Sequence, residues 1–224
     1  MAIRAKTNSW QVILLLVLAV GLWGVEKWRP GLLRGWRDHP AVPPVAADGK
    51  TQASAGKPAV VNGYERFDGC QWVDHRQNDG DSFRLRLPDG RVEQFRLYFV
   101  DTPESAFRQY GGGRNNHQRI HEQALEMRVS DKEVVEIGQD AKHRVEAMLK
   151  GKPLTIYTEW DDPFGDRRFH AFVEMPGGGW LHEWLAREGL VRVHTKGAPL
   201  PDGTPESAHR RELQRLARKA LESK

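Results

Sequence analysis

The stretch "FRLRLPDGRVEQFRLYFVDTPES", Phe83 to Ser105, decides how this chain is read. Two runs that alternate apolar with polar side chains flank Pro88-Asp89-Gly90-Arg91. Asp-Gly between such runs signals a tight hairpin, because those two residue types tolerate the positive φ its turn requires. In the second run Phe95, Leu97 and Phe99 alternate with Arg96 and Tyr98, the pattern of a strand with one buried face. The run then closes on an acid, a hydroxyl, a proline and a second acid. An arginine inside a strand, with two carboxylates (Asp101 and Glu104) at its end, is costly to bury and asks for a chemical reason.

Outward from this hairpin, "YERFDGCQWVDHR" from Tyr64 and "DSFRLRL" from Asp81 read as strands. So do "KPLTIYTEW" from Lys152 and "RRFHAFVEM" from Arg167, joined by the turn "DDPFGD". A polar stretch rich in Arg and His follows Pro103 and leads to a short helix near Ile120 to Met127. In "GQDAKHRVEAMLKG", Ala141, Val145, Met148 and Leu149 recur at helical spacing and Gly151 ends the run. "WLHEWLAREGL" is a short helix with Leu181, Trp184, Leu185 and Leu190 on its buried face; Leu213, Leu216, Ala217, Ala220 and Leu221 line one side of a last one. With strand and helix patterns mixed, the folded region, 63–224, is expected to be a small α+β barrel.

The first 62 residues differ in kind. A basic segment, 1–9, carries Arg4 and Lys6 and precedes an uncharged apolar run from Trp10 to Val25. At about 16 residues that run is short for a full span, yet it has no polar face to suit a buried helix. Trp10, Trp23 and Trp28 stand where interfacial aromatics belong. A small-x-small cleavage pattern is absent after it, so 10–25 is expected to be an uncleaved transmembrane anchor, with a cleaved signal segment as the alternative. Residues 26–62 read as a flexible linker, richest in Pro, Ala, Gly and Ser from His39 to Asn62. Cationic residues flank the apolar run on both sides, which leaves its orientation open.

Composition narrows the chemistry. The single cysteine, Cys70, excludes an internal disulfide, and no Cys/His set has zinc spacing. His117 and His121, one helical turn apart beside Glu122, lack a third ligand. A formal net charge of +4 favours a polyanionic partner without deciding one.

"NDGDSFRL", "FRLYFVDTPES" and "DPFGDRRFHAFV", in that order, resemble the staphylococcal (thermo)nuclease family, and "WLHEWLAREGLVRV" is similar to the helix after that family's last barrel strand. The resemblance covers Tyr64 to Val193. It implies a five-stranded OB-fold-like β-barrel with about three helices, here preceded by the N-terminal transmembrane helix of a membrane-anchored bacterial member. It also implies calcium-dependent hydrolysis of DNA or RNA to 3′-phosphate ends. Asp81 and Asp101 match the calcium-binding carboxylates, with the backbone carbonyl of Thr102 as a further ligand. Glu104 matches the carboxylate that orients or deprotonates water, and Arg96 and Arg168 match the phosphate-clamping arginines.

The residue types suit that chemistry independently. Hydroxide must add to a centre already negative, so a cation and paired donors on the phosphate oxygens are needed. Calcium is a hard ion that takes carboxylate and carbonyl oxygens. Arginine stays charged and offers a planar fork. Each piece also has an ordinary use: Asp-Gly-Asp as a turn, Asp-Thr-Pro-Glu as a helix start, Arg96 in a buried ion pair.

Departures mark where the pattern loosens. Ser82 stands for the usual threonine. Counting back from "AFV" selects Arg168, whereas counting forward from Phe164-Gly165 reaches Asp166 with Arg167 beside it. No tyrosine falls near Thr195, where the family has one against its substrate. The segment from Phe107 to Glu136 is long, and its Arg108, Arg114, His117, Arg119 and His121 could touch a nucleic-acid backbone or simply face water. The expected protein is a monomeric nuclease on the outer side of the cytoplasmic membrane, where calcium is plentiful, or is secreted after signal cleavage. The alternative class is a non-catalytic nucleic-acid-binding barrel; a third is an anchored interaction protein.

Overall fold

A computed structural model describes residues 58–163 and 165–223. The basic segment, the expected anchor at 10–25 and nearly all of the expected linker lie outside the described residues. Among the described residues no helix is long and apolar enough to cross a membrane.

The architecture is mixed α+β. Strand β1 (Ala59–Val61) turns through Asn62-Gly63, with φ of 48° and 93°, into the long β2 (Tyr64–Val73). This Asn-Gly hairpin corrects the linker boundary: Ala59 to Val61 belong to the sheet. The hairpin of β3 (Ser82–Arg86) and β4 (Val92–Leu97) follows as the Asp-Gly turn dictates, with Gly90 at φ 89°. Strands β6 (Leu154–Thr158) and β7 (Arg168–Glu174) pair antiparallel, and β7 lies parallel to β4.

The sheet closes because β2 is shared. Its first half pairs with β6 and its last residues with β3, the two halves separated by an irregularity between Asp68 and Cys70. Gly69 there has φ of 82°, a conformation glycine adopts without a Cβ penalty, and the resulting bend lets one strand serve two neighbours. The ring therefore runs β2-β3-β4-β7-β6 and back to β2, with β1 beside β2. Its five members are the five strands expected from the alternation.

Among the described residues four α-helices accompany it rather than about three: α1 (His117–Met127), α2 (Asp131–Leu149), α3 (Leu181–Arg187) and α4 (Glu206–Glu222). Helix α2 begins well before Gly138. The Ser130 side chain accepts from the Glu133 amide, and the Glu133 carboxylate accepts from the Ser130 amide, a reciprocal cap written in the sequence as Ser-Asp-Lys-Glu. The main core packs Phe83, Leu85, Phe95, Leu97, Ile156 and Phe172 with buried residues of α2, α3 and α4. A smaller core joins Ile120, Ala124 and Met127 of α1 to Val134 and Val135 of α2. This second core holds α1 in place beside the strand ends.

Candidate active site

The alternation of the deciding stretch breaks just before Asp101. Tyr98, Phe99, Val100, Asp101 and Thr102 are all buried, so the strand does not continue in one register to Val100 as expected. Phe99 sits in the left-handed region at φ 70°, a strained conformation for a non-glycine residue. Backbone bonds hold it there: its amide donates to Lys196 (2.8 Å), and its carbonyl accepts from His194 (3.0 Å) and Thr195 (3.2 Å). The kink steers the chain out of the ring and into a short strand β5 (Val100–Asp101), paired with β8 (Arg192–Val193). Asp101 thereby comes opposite Arg192.

Asp81 arrives from the other side. Its carbonyl accepts from the Leu97 amide at 2.8 Å, and the next residue, Ser82, pairs with Arg96. Both acids then reach one guanidinium nitrogen: Arg96 Nη2 lies 3.2 Å from Asp81 Oδ2 and 2.7 Å from Asp101 Oδ1. Asp101 collects further donors, from Arg119 (3.3 Å), Arg192 (2.9 Å) and the fully buried Gln123 (3.2 Å). Burial pushes the Asp81 carboxyl above the ordinary range while Arg96 pulls it back. Burial likewise raises Asp79, to about 6. Burial thus disfavours the ionised form of both acids, and nearby cations offset it only in part.

Glu104 is tied to the same network. Arg119 bridges it to Asp101, its Nε lying 3.3 Å from Glu104 Oε1, while Asn116 donates to Oε2 at 3.1 Å. The Glu104 amide donates to Gln123 Oε1 at 3.0 Å. Helix α2 backs this turn through Gly138: a Cβ there would meet the carbonyl oxygens of Pro103 and Glu104 at 2.5 and 2.7 Å. Gly80 is bounded in the same way, a Cβ meeting Thr102 Cγ2 at 2.7 Å. Two missing side chains thus let the helix press the Asp101 to Glu104 turn into position.

The remaining expected residues divide. Arg168 stands on β7 opposite Gln94, two residues along β4 from Arg96 and on the same sheet face. It pairs with Asp166 at 2.6 Å, and Asp81 is among the charges acting on it. Arg167 turns to Glu93 at 3.2 Å instead. Thr102 is buried, with its hydroxyl lacking a partner. Arg108 and Arg114 are exposed on the loop before α1. His121 faces Asp131 at 3.1 Å, and the Thr195 hydroxyl bonds the Val100 carbonyl at 3.3 Å.

Sequence reasoning missed Asn116, Gln123 and Arg192 as parts of this centre, and gave Arg119 only a surface role. A signal existed for two of them. Arg119, Gln123 and Glu126 recur at i, i+4 and i+7, a polar stripe on a helix whose other spaced positions are apolar. Arg192 had none, because its place follows from the kink at Phe99.

Whether the donors suit a hard divalent cation can be tested on the oxygens themselves. Asp81 and Asp101 converge on one positive charge, and the buried Ser82 and Thr102 hydroxyl oxygens have no partner. That oxygen-only set fits calcium. The histidine-containing set His182, Glu183 and His209, whose ligand atoms lie within 4.8 Å of one another, is separate from this centre. Comparison with family models and with curated proteins finds no match to this chain.

Proposed function

We propose that this chain is a calcium-dependent nuclease of the staphylococcal-nuclease kind, hydrolysing phosphodiesters of DNA, RNA or both to 3′-phosphate products. The observation that carries the reading is the convergence of Asp81, Arg96 and Asp101 on one point, with Glu104 coupled to it through Arg119. The closed five-strand ring supports an OB-fold-like barrel.

Asp81, Asp101 and the Thr102 carbonyl would hold calcium, which neutralises charge on the bound phosphate. Arg96, its Nε buried without a partner and its Nη2 held by both acids, would supply the first arginine fork to the phosphate. Arg168, on the same sheet face, would supply the second fork. Glu104 has both oxygens oriented, one by Arg119 and one by Asn116, and so is fixed to hold or deprotonate a water. Arg108 and Arg114, with Arg167 further off, would meet the strand's backbone. The apolar segment 10–25 would tether this monomeric domain to the outer side of the cytoplasmic membrane, or leave it secreted after cleavage.

One observation favours the non-catalytic binding barrel: both Asp101 oxygens already accept internal donors. The full chain in detergent, given single-stranded DNA, separates the two. Expected is cleavage with calcium, none with chelator, and 3′-phosphate ends. Glu104→Gln is expected to lower kcat by about 10²- to 10⁴-fold with an unchanged melting curve. A folded wild-type chain that binds DNA but never cuts it would hand the molecule to the binding class.

A further inference from the structure

Among the described residues, the large apolar side chains left exposed are Val60, Val92, Leu125 and two aromatic rings, Phe107 and Tyr110, each about half exposed. The two rings stand three residues apart in the segment between Glu104 and α1. Leaving such a ring half in water forgoes part of the gain from burial, so a pair kept there suggests an absent partner.

The segment is ordered by its own bonds. The Tyr110 amide donates to the Arg114 carbonyl (2.7 Å) and the Asn116 amide to the Arg108 carbonyl (3.2 Å), while Gln109 and Asn115 form an antiparallel bridge. The Asn116 side chain accepts from the Arg108 amide at 2.7 Å. Gly112 and Gly113, both at φ 74°, make the tip. The result is a small hairpin whose base is fastened to the centre, since Asn116 also donates to Glu104 Oε2 and to the Ala106 carbonyl.

Its charge is one-sided. From Ser105 to His121 the chain has no acid but carries Arg108, Arg114 and Arg119. Aromatic rings interleaved with arginines, Phe107 resting edge-on against His117, match the chemistry of unpaired bases on a polyanionic backbone. Paired bases keep their faces stacked within the duplex and could not use these rings.

We propose that the Phe107–Tyr110 hairpin is a base-stacking subsite that selects single-stranded nucleic acid and sets its register on Glu104. The inference rests on the nuclease reading for its substrate, and its own content is the hairpin's role. A lipid surface is the rival occupant. The fastening of the hairpin to the Glu104 carboxylate favours the nucleic acid.

The test is fluorescence anisotropy at fixed salt with the full chain in detergent, in a Glu104→Gln background that keeps the strand uncut. The probes are a labelled 12-residue oligothymidylate and a duplex of equal length. Stacking is worth about 1–3 kcal/mol per base, or about 5- to 150-fold in Kd per ring. Phe107→Ala with Tyr110→Ala is therefore expected to weaken oligothymidylate binding at least about 10-fold and duplex binding less than about 2-fold. Equal loss for both probes, or no loss, would overturn the subsite. Lost binding to phosphatidylglycerol vesicles with oligothymidylate binding intact would overturn it in favour of a lipid surface. Calcium-dependent cleavage of a mononucleotide aryl phosphodiester by the wild-type chain tests the centre separately. That cleavage, with oligothymidylate affinity unmoved by the variant, would sink the hairpin's role and leave the nuclease reading standing.

Discussion

Arg96 and Phe99 stand three residues apart on one stretch and anchor two buried clusters built on opposite principles. Around Arg96 the contacts are charged: two acids on one nitrogen, with Arg119 and Arg192 completing Asp101. Around Phe99 they are mainly aromatic, with the Arg210 guanidinium over its ring at 5.2 Å. Phe172, His182 and His209 lie at ring distances of 6.2, 5.8 and 5.1 Å, and the two imidazoles share one Nε2 to Nε2 hydrogen bond of 2.7 Å. Burial disfavours the charged form of both histidines, most for the fully enclosed His182. A buried ion network stabilises little compared with apolar packing of the same volume. A chain that packs aromatics so well at Phe99 could do so at Arg96, and the acids held there point to a use other than stability.

Removing an acid should expose that difference most sharply. Asp101→Ala removes the counter-charge that Arg96 and Arg192, both about nine-tenths buried, share, and leaves Arg96 with Asp81 and Arg192 with Glu126. Loss of one partner from a buried pair costs about 3–5 kcal/mol, and the acids that remain hold the expected cost near about 3 kcal/mol. Urea unfolding in chelator should show a drop of that size; a change below about 1 kcal/mol would mean that water already screens the cluster.

The sequence carried the ring almost completely, because alternation and Asp-Gly are local signals that the closed sheet does not override. It also singled out Asp81, Arg96, Asp101 and Glu104, which the fold brings into one network, as the pattern of one resemblance. It did not carry the kink. Nothing in "LYFVD" marks Phe99 for a left-handed conformation, since the bonds that hold it come from Lys196, His194 and Thr195, about a hundred residues away. Arg192 was invisible for the same reason. Gln123 was legible in principle as a polar residue on a buried helical face, and Asn62-Gly63 as a turn.

Gly138 sharpens the comparison, because it shapes the charged cluster without belonging to it. A methyl there would meet two backbone oxygens, which cannot rotate away, so helix α2 or the Pro103-Glu104 turn must move. Overpacking of this kind costs about 1–3 kcal/mol, partly offset by the roughly 1 kcal/mol that alanine gains over glycine in a helix. Gly138→Ala is expected to lower stability by about 1 kcal/mol and, on the proposed nuclease reading, kcat by about 10- to 100-fold, since displacing Glu104 would weigh more on rate than on folding. Full activity with an unchanged melting temperature would show that the turn does not depend on this contact.

The last expected effect belongs to the aromatic cluster and is read in pH. His182 and His209 have depressed pKa values in the fold, so below the ordinary histidine value near 6.5 the unfolded chain binds protons that the native state refuses. Stability from this pair is present at neutral pH and declines as pH falls from about 7 to 5.5, by up to about 1.4 kcal/mol per unit for each excluded proton. Asp79 and Asp81 work the other way over the same range: their raised pKa values let the native state hold protons that the unfolded chain has lost, so their contribution falls as pH rises. Glu183, also raised by burial and 3.8 Å from His209 Nδ1, adds to that opposing trend at the acidic end. The wild-type profile in chelator is therefore a difference of two slopes, and the informative quantity is its change on substitution. His209→Gln keeps a hydrogen-bonding partner for His182 but cannot titrate, and its stability should fall less steeply between pH 7 and 5.5 than that of the wild type. Parallel curves would mean that the imidazole pair takes up its proton within the fold, and that the aromatic cluster is less closed than its burial implies.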